Sequence, residues 1–186
     1  MAGWYKKREI MHRYDVTAHM YDMRYAAEQK AKMEAALRSM AIGKHDFVLD
    51  AGCGTGLLFG YVACRAEMIV GFDISKKTLL QAKEHAKDFS NVHLMLADAD
   101  NMPLRESVFS HVFAFTLIQN MPDPARTLKE VKRVAEPEGA ITVTGMKSVF
   151  TRKGFEELLQ NAGLKIAALE DEDLKCYVAV CTKSVC

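Results

Sequence analysis

The sequence predicts an α/β protein: a doubly wound, mostly parallel sheet with helices on both faces and a helical cap at the N-terminus. Three observations carry this. From residue 47 onward, near-continuous apolar runs of strand length alternate with amphipathic stretches of helix length, as in a parallel sheet buried on both faces. The last two strand-like runs are joined by a short acidic turn, which makes an antiparallel hairpin and not another strand–helix unit. Residues 1–46 hold no convincing strand.

Along the chain, Asp22 to Met40 is rich in Ala, Met, Glu and Lys and reads as the main helix of the cap. Phe47 to Ala51 is the first strand, stopping at Gly52. Met68 to Asp73 is the second and Val92 to Ala97 the third. Between them Ser75 is suited to cap a helix over Lys76 to Phe89, with Leu79, Leu80, Ala82 and Ala86 toward the sheet. His111 to Thr116 is the fourth strand and Ala140 to Thr144 the fifth. Pro124 fits the first turn of the intervening helix, whose inner face carries Leu128, Val131 and Val134. Thr151 can cap a helix to Asn161 that closes at Gly163. Lys165 to Leu169 and Lys175 to Thr182 form the hairpin around Glu170-Asp171-Glu172-Asp173.

At 186 residues the chain is expected to be one domain, a cap over 1–46 on a core over 47–186. Its 25 Lys and Arg balance 24 Asp and Glu, so no whole-molecule field steers it to nucleic acid or anionic lipid. With 49% hydrophobic residues it is not disordered. Met1 to Met20 mixes charges with single apolar residues and is not a signal peptide. No apolar run approaches the ~20 residues of a membrane span. Five cysteines, at 53, 64, 176, 181 and 186, form no CxxC pair and no common zinc pattern. They read as reduced, mostly buried thiols of a cytoplasmic protein.

The most informative stretch is Val48-Leu49-Asp50-Ala51-Gly52-Cys53-Gly54-Thr55-Gly56-Leu57, a strand end followed by three glycines at alternate positions. Such a turn lets a ligand approach the main chain closely, at the sheet edge where ligands dock. Asp73 closes the second strand 21 residues after Gly52, where a carboxylate can accept hydrogen bonds from ribose hydroxyls. A nicotinamide dinucleotide site needs G-x-G-x-x-G, but position 57 is leucine, and no phosphate loop of the G-x-x-x-x-G-K-[ST] type occurs. Asp50 before the glycines repels a pyrophosphate and suits a cationic nucleoside such as S-adenosylmethionine. Asp98, after the third strand, is placed to accept from an adenine amine. Singly these are ordinary loop carboxylates; three at the ends of successive strands argue for a site.

The chain resembles the class I S-adenosylmethionine-dependent methyltransferases, in particular the small family that includes the ubiquinone- and menaquinone-biosynthesis enzymes. The likeness covers about residues 14–182 and rests on VLDAGCGTG (48–56), GFDIS (71–75), ADADNMPL (97–104), FSHVFAFTLIQNMPDP (109–124) and LKEVKRVAEPEGAITVT (128–144). It implies a Rossmann-like sheet of seven strands in the order 3-2-1-4-5-7-6, with strand 7 antiparallel. It implies that Asp50, Gly52, Cys53, Gly54 and Gly56 surround the methionine part, that Asp73 and Ile74 hold the ribose and one adenine face, and that Asp98 and Ala99 meet the adenine edge. Thr116 would line the pocket near the sulfur and Tyr21 would close over the cofactor. Two positions depart from the family: Ser110 stands where an acid is usual, and Glu136-Pro137-Glu138-Gly139 replaces K-P-G-G.

Methyl transfer leaves the protein mainly to position and desolvate, with a base needed only where the acceptor must lose a proton. No catalytic residue is assigned. His111 begins the fourth strand, away from the site, and reads as structural; Gln119 and Asn120 can orient an acceptor, and His12 and His19 are the histidines on the cap. The expected acceptor is a small or medium organic molecule. Because little chain lies between Gly145 and Thr151, the acceptor site is expected to be open, made largely by residues 1–46. Two alternatives stay open. One is an RNA or protein methyltransferase with a partner subunit or in a homo-oligomer, using the basic-aromatic tip Trp4, Tyr5, Lys6, Lys7, Arg8 and Arg13. The other is a non-catalytic S-adenosylmethionine-binding protein.

Overall fold

The computed structural model describes residues 2–184. Four parallel strands meet first: β1 (Phe47–Ala51) lies between β2 (Met68–Asp73) and β4 (Phe109–Ala114), with β3 (Val92–Leu96) outside β2. β5 (Ala135–Met146) pairs parallel to β4, and β7 (Cys176–Lys183) inserts antiparallel between β5 and β6 (Leu164–Glu170). The sheet order is therefore β3-β2-β1-β4-β5-β7-β6, with the terminal hairpin folding back as its acidic turn required.

Alternation along each strand divides the core. Leu49, Val112 and Ile141 face α4 (Pro124–Val134) and α5 (Arg152–Asn161), where Leu128, Val131, Phe155 and Leu159 cover them. Val48, Ile69 and Phe113 face the other way, against Phe59 of the short α2 (Phe59–Val62), Ala82 of α3 (Lys76–Ala86), and Met33 and Ala36 of α1 (Ala2–Arg38). Two caps are those the sequence predicts: Ser75 Oγ accepts from Thr78 N at 3.1 Å and Thr151 Oγ1 from Gly154 N at 3.1 Å; Asp123, just before Pro124, adds a third by accepting from Arg126 N at 3.2 Å.

Most boundaries shift by one to three residues, and three of the differences bear on the site and the sheet. α1 begins at Ala2 and ends at Arg38, absorbing the whole N-terminus in place of a helix over 22–40. β4 runs from Phe109 to Ala114, two residues earlier than expected, which leaves Thr116 in the loop beyond it. β5 extends back through the Glu136-Pro137-Glu138-Gly139 departure, where its pairing with β4 slips between Phe109 and His111. A Cβ on Gly139 would come within 2.9 Å of the Phe109 carbonyl oxygen, so this irregularity requires glycine. Ser110, the other departure, ties β4 to β1: its Oγ accepts from Phe47 N at 3.1 Å and donates to Phe47 O at 3.2 Å.

Candidate functional site

The site lies at the carboxyl ends of β1, β2, β3 and β4, under the N-terminal half of α1. Past β1 the chain reverses on Cys53 N, which donates to Phe72 O at 2.8 Å, and on Gly56 N, which donates to Cys53 O at 2.9 Å. Gly52 and Gly54 take φ of 72° and 55°, a left-handed backbone that side chains resist. A Cβ on Gly52 would also sit 3.0 Å from Leu117.

The carboxylates have distinct settings. Asp73 Oδ2 accepts from Gly54 N at 3.0 Å and Oδ1 from Ser75 N at 2.8 Å, so it braces the glycine turn while keeping further lone pairs. Burial nevertheless pushes its pKa up. Asp50 is only 3% exposed, and burial followed by the neighbouring Asp73 charge pushes its pKa up to about 8. Asp98 Oδ1 accepts from Asp100 N at 3.0 Å. Cys53 is buried and its thiol is pushed well up by burial, so it is not a nucleophile.

Gly52, Gly54, Asp73, Ile74, Asp98, Ala99, Thr116 and Tyr21 line one cleft of about 80 Å³. Asp50 and Cys53 line a recess of about 40 Å³ beside it, shared with Gly52, Gly54 and Tyr21. Gly56 is not brought to either wall. It is a turn residue, because the Phe59 ring lies 2.4 Å from where its Cβ would be. This set fits a cationic nucleoside: acceptors for ribose hydroxyls on Asp73, an acid at the adenine edge on Asp98, and in Asp50 a buried acid that a nearby cation would ionise.

α1 closes the cleft. Its Lys7, 8% exposed, places Nζ 2.6 Å from Asp98 Oδ1 and 2.6 Å from Asp100 Oδ2. Lower down, Asp15 Oδ1 accepts from Ser75 Oγ at 2.5 Å and Asp22 Oδ1 from Thr55 Oγ1 at 2.6 Å. Lys6 Nζ donates to Met121 O at 3.0 Å. Of the basic tip expected to reach phosphates, Lys7 is thus turned inward and Lys6 is held to Met121 O, while Trp4, Tyr5, Arg8 and Arg13 are exposed. Lys7, read from sequence only as part of the basic tip, and Tyr14 are further cleft residues; the acidic pair at 98 and 100 was the one available signal for a cation there.

A second, open cavity of about 630 Å³ adjoins the cleft, and Tyr14, Tyr21, Thr116 and Asn120 line both. Thr116 is held at φ 55°, uncommon for a β-branched residue. Its N donates to Thr144 Oγ1 at 2.7 Å, its O accepts from Asn120 Nδ2 at 2.8 Å, and Gln29 Nε2 donates to its Oγ1 at 3.2 Å. Backbone strain over-determined in this way is a mark of functional sites. Asn120 also reaches Tyr14 Oη at 3.1 Å, and both it and Gln119, the residues expected to orient an acceptor, line the second cavity. His12 and His19 are exposed and line neither cavity. His111 is buried with Nε2 3.1 Å from Asp46 Oδ2, a structural pair at the opposite end of β4. Among the described residues no cluster of His, Cys, Asp and Glu could hold a metal ion, and no helix is long and apolar enough to cross a membrane.

The likeness to known proteins agrees with this architecture. A malonyl-[acyl-carrier protein] O-methyltransferase from a Marinomonas species is 33% identical over 137 residues, 73% of this chain and 50% of that protein. The chain spans about half the length of the curated relatives it matches first. Among solved structures, the Burkholderia thailandensis 1,6-didemethyltoxoflavin-N1-methyltransferase superposes with a TM-score of 0.84 at 15% identity, covering 100% of this chain and 92% of that one. A Haloferax volcanii methyltransferase solved with its activator gives 0.76 at 17% identity, covering 92% and 98%. At such identities the structures speak for the fold alone. The family model described as a methyltransferase domain matches residues 49–143, half of the chain, so the chain belongs to the methyltransferase domain family.

Proposed function

We propose that the chain is an S-adenosylmethionine-dependent methyltransferase that acts on a small or medium organic acceptor. The observation that carries this reading is the run of acids at the ends of β1, β2 and β3 around the glycine turn, facing a cleft that opens onto a second cavity. When bound, the cofactor supplies an activated methyl group on a positively charged sulfur. Asp73 holds the ribose hydroxyls, Ile74 covers one face of the adenine, and Asp98 and Ala99 meet its edge, Asp98 taking the amine. Asp50 with the Gly52–Gly54 turn faces the cationic end. Tyr14, Tyr21 and Thr116 form the neck between the cavities, so they orient the acceptor and keep water out. We take the chain as one domain, residues 1–46 covering residues 47–186. The free thiols Cys53, Cys176 and Cys181, all buried, support a cytoplasmic setting; Cys64 is exposed and Cys186 lies outside the described residues.

The test is calorimetry with S-adenosylhomocysteine on the wild type and Asp73→Asn. The wild type binds, and the variant binds at least ~10-fold more weakly, since hydrogen bonds to a charged acceptor are worth about 1.5–3 kcal/mol each. Absence of binding by the wild type overturns the reading, including its non-catalytic form.

A second reading adds a partner subunit. Two observations support it: the likeness to the Haloferax volcanii chain solved with an activator, and the outer edge of β3, where Leu96 is 59% exposed, while Leu80 of α3, expected toward the sheet, is exposed as well. Co-elution with an activator of that kind, with a rise in turnover, would favour it; full turnover by the isolated chain goes against it.

A further inference from the structure

We infer that the methyl acceptor is an organic anion, bound in the second cavity with its charge against Arg24. The inference rests on the methyltransferase reading above and adds to it the charge class of the acceptor.

The first ground is the charge of the cavity wall. Arg13 and Arg24 from α1 and Lys175 from the turn before β7 line it, against one acid, Glu28. That acid is already engaged, with Lys32 Nζ 2.7 Å from Oε1 and Lys175 Nζ 3.3 Å from Oε2. Burial alone would raise the Glu28 pKa, but its two lysine partners hold it below the usual value, so it stays a committed carboxylate. Arg13 is engaged with an amide oxygen, Asn120 Oδ1, at 2.9 Å. Among the described residues neither arginine is paired with a carboxylate, which leaves Arg24 as the cation free to meet a ligand. A chain of net charge +1 thus concentrates unmatched positive charge at one cavity.

The second ground is the absence of a base from that wall among the described residues. No histidine lines it. Burial raises the phenol pKa of both Tyr14 and Tyr21, and Glu28 is held as an ion pair, so none is suited to take a proton near neutrality. Transfer to an oxygen anion forms one C–O bond and breaks one C–S bond, the electron pair going to sulfur; the opposite charges cancel and no proton has to leave. A carboxylate, or an acidic enol or phenol already ionised, meets this requirement, and the neutral product then loses its attraction to Arg24. The third ground is shape and polarity. Tyr14, Tyr21 and Tyr25 form a chain of rings with centroids 6.0 and 5.0 Å apart, which suits an unsaturated acceptor. Gln119 Oε1 is buried without a hydrogen-bond partner and lines the same wall, ready to accept from a hydroxyl or amide of the ligand.

The experiment uses the full chain, with and without saturating S-adenosylhomocysteine, and titrates 1-naphthoate, cinnamate and benzoate, each against its own neutral amide. At least one carboxylate should bind ten-fold or more tightly than its amide. Arg24→Gln should weaken that carboxylate about ten-fold, leave the amide unchanged and leave S-adenosylhomocysteine binding unchanged. If no carboxylate binds better than its amide, or if Arg24→Gln weakens both alike, the inference is overturned while the methyltransferase reading stands. Failure of S-adenosylhomocysteine to bind marks failure of the underlying reading instead.

Discussion

A carboxyl group enclosed at the end of β1, with a second one on β2 beside it, keeps its proton to about pH 8 in Asp50, against 3.8 for the free side chain. Between those two values the folded chain holds a proton that the unfolded chain has lost. Stability without ligand therefore falls as pH rises through this window, and Asp73, also raised, acts in the same direction. Asp50→Asn should flatten the decline, read as melting temperature between pH 5 and 8. A cation bound beside Asp50 reverses the preference and expels the proton. At pH 7, S-adenosylmethionine should release close to one proton, measured by calorimetry in two buffers of different ionisation enthalpy, and Asp50→Asn should release none. Equal heats in both buffers for the wild type would refute the assignment. The positions of these acids were legible in the sequence, because strand ends and glycine turns are local signals. What was not legible is the surroundings that give the site its character: Thr144 and Gln29 around Thr116, or Lys7 on Asp98, come from elements far apart in the chain.

At the scale of elements, α1 is where sequence and structure part most. Only 22–40 reads as helix, whereas the helix spans Ala2–Arg38. The reason is physical: the inward positions of its first half mix Lys7, Tyr14, Asp15 and Asp22 with Ile10 and Ala18, so no continuous apolar stripe marks the face. A run of buried apolar positions comes at Met33, Ala35 and Ala36, where the helix reaches the core. This half-helix also constrains entry. A cleft of about 80 Å³ is well below the roughly 300 Å³ at which ligand pockets begin, and Lys7 Nζ stands 2.6 Å from the carboxylate that would take the adenine amine. Nucleoside and lysine therefore compete for Asp98. Lys7→Ala should tighten S-adenosylhomocysteine binding by about ten-fold and speed its association, followed by stopped-flow fluorescence. Lys6→Ala, which removes a contact to Met121 O outside the acid pair, should leave both near wild type. Weaker binding by Lys7→Ala would mean that the lysine helps to hold the ligand.

For the molecule as a whole, the sheet was the most legible feature, since continuous apolar strands and a terminal hairpin leave few topologies open. The strand limits were less so: β5 begins at Ala135 only because a glycine at 139 permits the irregular pairing with β4, a fact of tertiary contact. This sheet sets how ligand binding spreads. The acids sit at the ends of three neighbouring strands, and α1 crosses all of them, so one ligand ties together segments from residue 7 to residue 100. At a hundred times its dissociation constant a ligand stabilises by about 2.7 kcal/mol, which in a chain of this size raises the melting temperature by roughly 5–10 °C. Amide hydrogen exchange should resolve where that stabilisation acts. Residues 50–55, 73–75 and 97–101 should gain protection with S-adenosylhomocysteine, because these segments form the walls of the cleft and its recess. Residues 3–10 should lose it, because Lys7 must leave Asp98 and the first turns of α1 lift with it. In Lys7→Ala those turns should already exchange fast without ligand, and the ligand should change them no further. Protection of residues 3–10 that rises on binding would show instead that the helix tightens over the nucleoside, and would return the closure of the cleft to the bound state.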